Sequence, residues 1–220
     1  MAQKHLTKKE LKEDPFFEEV AHVITFLQKH HKKLLSIGLI VAIGLSAFFV
    51  TKNVMNKKNT EAVGYFGIAM DQYNKNQLRE AEEQFLFLAE QYPNTDWGKR
   101  SYYYLGLITR SLDRPEQETL HYLESFVSSN LKDNALRKSA NQLIATYYYR
   151  SGDPVAAGNH YLQAAKNAFS KEEKLTYGIK ALETFIESGD EMKEESVLNY
   201  LNTLDLDRED KNRIDALSKL

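Results

Sequence analysis

The chain has 220 residues, and its 29 Lys/Arg against 31 Asp/Glu leave a formal net charge of −2. That balance gives no global attraction to nucleic acid, and the length allows one ordinary domain plus an anchor but not two large domains. With no cysteine at all, a disulfide framework, a zinc–thiolate site, a thiol nucleophile and a lipidated N-terminal cysteine are excluded.

Residues 1–33 hold seven lysines, five acids and four of the six histidines, and are expected to form a short cytoplasmic segment. Asp14-Pro15 reads as a helix start, with Asp as N-cap and Pro at the first helical position. Phe16, Phe17, Val20, Val23, Ile24 and Leu27 follow at helical spacing, with Glu18, Glu19, His22 and Lys29 around the rest of the wheel. Such an amphipathic helix suits a membrane surface or the cytoplasmic face of a protein partner.

Residues 34–51, LLSIGLIVAIGLSAFFVT, carry no charge. At about 1.5 Å per residue they reach roughly 27 Å, enough for a bilayer core, and are expected to be a transmembrane helix. The segment ends in Phe48-Phe49-Val50-Thr51-Lys52 without a small-x-small site, so a retained anchor is expected rather than a cleaved signal. Lys29, Lys32 and Lys33, with four lysines upstream, outweigh Lys52, Lys57 and Lys58 on the other flank. This bias predicts a cytoplasmic N-terminus and, in a bacterium, a periplasmic or extracytoplasmic C-terminal domain. Gly38, Ala42 and Ser46 share one face of the anchor.

A polar stretch, 52–60, reads as a linker to a helical domain over 61–220. The first unit there reads Tyr65, Ile68-Ala69, Tyr73, Leu78, Ala81, Phe85, Leu88, Tyr92-Pro93. Tyr102, Leu105-Gly106, Leu112, Tyr122 and Phe126 mark a second, and Ile144-Ala145, Tyr148, Gly152-Asp153, Ala157, Tyr161 and Ala164 a third. Asn76, Asp113, Gly152 and Gly189 mark the turns between paired helices, and Asn and Gly at such points suit the left-handed conformation that ends a helix. The fold class expected is all-α: one N-terminal membrane helix followed by helical hairpins stacked as a solenoid.

These units resemble the tetratricopeptide repeat (TPR), in which a small residue midway along each helix lets the pair pack closely. Ala69 and Ala81, Gly106, and Ala145 and Ala157 stand at those positions; the second unit departs at its second one, where Glu118 or Thr119 falls. A fourth unit around Ala181, Phe185, Gly189 and Leu198 is degenerate, and the helix from Asp207 to Leu220 is expected to cap the array. The layout of basic N-terminus, single anchor and TPR domain is similar to the YfgM-like family, which includes an ancillary subunit of the SecYEG translocon. That resemblance implies partners: the SecYEG translocon and a membrane-anchored periplasmic peptidyl-prolyl isomerase chaperone, with the protein assisting secreted clients. An envelope scaffold for cell-wall, division or outer-membrane assembly is the alternative, since Tyr92-Pro93-Asn94-Thr95 before Tyr102 to Gly106 also resembles TPR proteins of that kind. A cytosol-facing import receptor is a third reading.

No glycine-rich phosphate loop, HExxH, GxSxG or Asp-rich calcium loop occurs. His30-His31 point about 100° apart on a helix, so they read as a basic membrane flank and not as a metal pair. His121 and His160 read as surface positions, and Glu82-Glu83 and Glu172-Glu173 as solvated helix faces. No enzymatic activity, cofactor, metal or small-molecule substrate is expected. The expected function is protein interaction, through a groove lined by the first helix of each TPR pair. Carrying over the groove positions gives Phe66, Met70 and Tyr73, then Arg100, Tyr103 and Arg110, then Gln142, Tyr149 and Arg150. Tyrosine and arginine are apt there because they dominate binding hot spots.

Overall fold

The computed structural model describes residues 15–218. Among them lie nine helices and no strand, in two compact units divided between Asn56 and Lys57. Asp14, expected as an N-cap, falls outside the described residues.

The first unit is built on one helix, α1 (Pro15–Asn74), which also supplies the start of the second unit. It is long and apolar enough to cross a membrane, and none of its apolar window is buried. Leu35, Ile40 and Phe49 are each at least 64% exposed. Its hydroxyls satisfy themselves: Ser36, Ser46 and Thr51 each donate to the carbonyl four residues back, at 2.8–2.9 Å. Residues 52–60, read as a polar linker, continue the helix without a break. The stretch contains neither proline nor glycine, the strongest helix breakers.

The second unit takes α1 from Lys57 to its end and adds α2 (Leu78–Gln91), α3 (Asp96–Ser111), α4 (Glu116–Ser128), α5 (Asn134–Arg150), α6 (Pro154–Asn167), α7 (Lys171–Ser188), α8 (Glu191–Asn202) and α9 (Arg208–Leu217). The starts of these helices are written in side-chain oxygens. Thr95, Asp133, Asp153, Ser170, Asp190 and Asp207 each accept from a backbone N–H three residues on, satisfying a donor the helix cannot. Asn76, Asp113, Gly152 and Gly189 are the positive-φ residues among those described, at 60°, 56°, 84° and 68°. Only glycine and short polar side chains adopt that conformation cheaply, so the four positions fix the turns after α1, α3, α5 and α7.

From α2 to α8 each helix packs on the next in sequence, and α9 closes against α7. The core is a succession of clusters. Ala62, Phe66 and Ala69 of α1 meet Ala81, Phe85 and Leu88 of α2 and Leu105 and Ile108 of α3. Leu123 and Phe126 meet Ala140 and Ile144, and the last cluster runs from Ala145 and Ala157 through Phe185 to Leu201 and Ile214. Small residues set the spacing. A Cβ on Gly106 would stand 2.7 Å from the Leu123 side chain, so glycine is what lets α3 and α4 touch. Thr119 fills the second small position of that pair, fully buried, its hydroxyl 3.0 Å from that of Thr109.

Candidate functional site

The odd-numbered helices of the second unit lie side by side, linked by long side chains. Between α1 and α3 the links are aromatic: Phe66 lies 4.8 Å from Trp97, and Tyr73 meets Tyr104 edge-on at 5.6 Å. Between α3 and α5, Arg100 pairs with Asp133 at 3.1 Å while its guanidinium sits over Trp97. Between α5 and α7, Lys138 pairs with Glu173, and the Tyr177 hydroxyl donates to Gln142 at 2.6 Å. The Lys138 bond holds the Glu173 carboxyl below its usual pKa.

This frame sorts the nine candidate groove residues. Phe66 and Tyr103 are only 8% and 9% exposed, turned into the core; burial pushes the Tyr103 hydroxyl up in pKa. Met70 and Tyr73 are half-buried against the same aromatic cluster. Arg100 and Gln142 are engaged in the links just described. Three remain open to a partner: Arg110, Tyr149 and Arg150 are exposed. Of these Arg150 is paired with Glu116 and stacked on Tyr147, while Arg110 has no ion pair among the described residues. The cause of the inward turn is geometric: the face that α1 and α3 offered as a groove is where the neighbouring odd-numbered helix lands.

A cleft that the sequence did not reveal opens beside Tyr149. It has a volume of about 230 Å³ and is lined by Tyr149 of α5, Tyr161 of α6, and Lys180, Glu183, Thr184 and Glu187 of α7. The Lys180 ammonium lies 5.6 Å from the centre of the Tyr161 ring. Tyr149 is 48% exposed, and its hydroxyl bond to Glu187 raises its pKa. Thr184 is buried, with its hydroxyl satisfied by the Lys180 and Ala181 carbonyls. Such a cleft is smaller than the roughly 300–1,000 Å³ of small-molecule and cofactor sites, and its scale is that of one side chain. The local sequence signal was only the i, i+4 spacing of Glu183 and Glu187, which puts two carboxylates on one helix face.

His160, read as a surface residue, is half-buried between α5 and α6. Its ring stacks on Tyr148 at 5.7 Å, and Nδ1 lies 2.8 Å from Asn141 Oδ1. Because Asn141 Nδ2 donates to the Arg137 carbonyl, Oδ1 is left to accept, which places the imidazole proton on Nδ1. The Tyr148 hydroxyl donates to Glu124 at 2.5 Å, and that bond pushes its pKa up to about 12. Burial lowers the His160 pKa below its ordinary 6.5, against a smaller opposing pull from Glu124. The unfolded state therefore binds the proton more readily, and stability falls as pH drops below about 6.5. Urea midpoints of the full chain in detergent should decline from pH 7.5 to pH 5, and His160→Gln should flatten that decline.

Among the described residues no group of three or more His, Cys, Asp or Glu side chains is placed to hold a metal ion. No known protein family matches the chain, and neither a characterised protein nor a solved structure matches it.

Proposed function

We propose that the chain is a membrane-tethered, TPR-like interaction module that catalyses no reaction itself and docks proteins on the face of its odd-numbered helices. What supports the repeat reading is the register of the cross-links. The pairs Glu82–Arg114, Arg100–Asp133, Glu116–Arg150, Lys138–Glu173 and Gln142–Tyr177 are separated by 32, 33, 34, 35 and 35 residues. Links recurring at that interval are what a stack of 34-residue hairpins produces. The helix around residues 34–51 serves as the anchor, and the lysine bias sets the N-terminus in the cytoplasm and the repeat unit outside it. The partners are the SecYEG translocon and a membrane-anchored periplasmic peptidyl-prolyl isomerase, as the resemblance in layout implies.

In-cell crosslinking of the tagged full chain, followed by purification in mild detergent, tests this reading. Translocon subunits and the isomerase should be recovered; cell-wall or division components without translocon would establish the scaffold alternative instead. Reversing charge with Arg110→Glu and Arg150→Glu should cut the recovery several-fold while the helical signal is unchanged, because both side chains are exposed. Equal recovery would remove these two arginines from the docking face.

A further inference from the structure

The geometry points to the cleft between α5, α6 and α7 as a subsite for a cationic side chain of a docked protein, arginine or lysine, held by Tyr149, Glu183 and Glu187. This rests on the interaction-module reading and names the chemistry of one contact within it.

Three observations converge. First, the cleft holds about 230 Å³, the scale of a single side chain, and opens beside Tyr149, whose ring is half-exposed. Second, Glu183 and Glu187 stand one helical turn apart on α7, both exposed, and neither has a cationic partner among the described residues. Two carboxylates at i, i+4 repel each other until a cation is placed between them. Third, the cleft already accepts a cation: Lys180 lies over the Tyr161 ring at 5.6 Å, so one aromatic wall is in use and Tyr149 offers the other. Two acids against one lysine leave the cleft net negative, and the raised Tyr149 pKa, to which Glu187 and Glu183 both contribute, reports that same field. A guanidinium suits the site better than an ammonium, since it stacks flat on tyrosine while its donors meet a carboxylate.

The test uses the full chain in detergent micelles with 3-fluorotyrosine in place of Tyr149, read by fluorine NMR. N-acetyl-arginine methylamide should shift that resonance saturably, and the uncharged citrulline analogue should not. Glu183→Gln combined with Glu187→Gln should weaken the arginine response about threefold or more, as expected for exposed ion pairs. Lys180→Ala, which removes the competing cation, should strengthen it. An equal response to citrulline, or a response lost in Lys180→Ala and retained by the double glutamine variant, would overturn the proposal; the latter would mean that the probe is held through contacts to Lys180 and not by the two carboxylates. If the arginine probe fails while a photo-crosslinker at Arg110 still captures protein in cells, this subsite falls and the interaction-module reading stands. If neither position 110 nor position 149 captures protein, that reading falls and the subsite with it.

Discussion

Gly98→Ala should lower the stability of the 57–220 unit by about 3 kcal/mol, at the upper end of overpacking costs, whereas Gly64→Ala should leave it unchanged or raise it by up to about 1 kcal/mol. The contrast is steric. A Cβ on Gly98 would lie 2.0 Å from the Tyr92 carbonyl oxygen and 3.0 Å from that of Leu88, both backbone atoms that no rotamer change can move aside. The corner that brings them there is tightly drawn. Thr95 donates its hydroxyl to the Tyr92 carbonyl at 2.7 Å and accepts from the Gly98 N–H at 3.0 Å, so α3 starts hard against the end of α2. Gly64 has nothing within 4 Å of its added Cβ, and its helix gains from alanine's better propensity. Trp97, the single tryptophan, lies against Phe66 and reports the transition by fluorescence. Equal midpoints for the two variants would show that the α2–α3 corner is not packed this closely.

Phe85→Ala is the second large effect, with an expected cost of about 3–5 kcal/mol. Phe85 is fully buried, stacks flat on Tyr104 at 5.1 Å and meets Phe66 edge-on at 5.6 Å, so it joins α1, α2 and α3. The loss should be local. Helices in this unit pack chiefly on their sequence neighbours, and in such an array a defect loosens its own unit before distant ones. Hydrogen exchange should therefore show protection lost in α2, α3 and the end of α1 while α6 to α8 keep theirs. Uniform loss would mean a single cooperative core and would argue against a repeat array.

Much of this architecture was legible because its rules are local. The turns at Asn76, Asp113, Gly152 and Gly189 could be read because a positive φ admits few residue types. Ala69, Ala81, Ala145 and Ala157 could be read because closely packed helices need small residues at fixed offsets, and all four are fully buried. The charge-free run at 34–51 needed only its length. What stayed hidden depends on a third body. Periodicity places Phe66 and Tyr103 on a face of their helices but does not say that a neighbouring helix covers that face. The cleft draws Tyr149, Tyr161 and Glu187 from three helices, a combination with no local signature beyond the Glu183–Glu187 spacing. His160 looked solitary because its partners, Asn141 and Tyr148, lie on the preceding helix. The continuation of α1 through 52–60 was masked by a polar composition that suggested a linker, although the stretch carries neither proline nor glycine.

If the 57–220 unit docks protein on the face of its odd-numbered helices, site-specific photo-crosslinking in living cells should capture the docked partner there. The crosslinking residue would replace Arg110 on α3 or Tyr149 on α5, with Glu83 on α2 and Gln163 on α6, also exposed, as controls on the even-numbered helices. Discrete protein adducts at positions 110 and 149, with none at 83 and 163, are the result predicted. Adducts confined to positions 83 and 163, or none at any of the four, would rule out docking on that face.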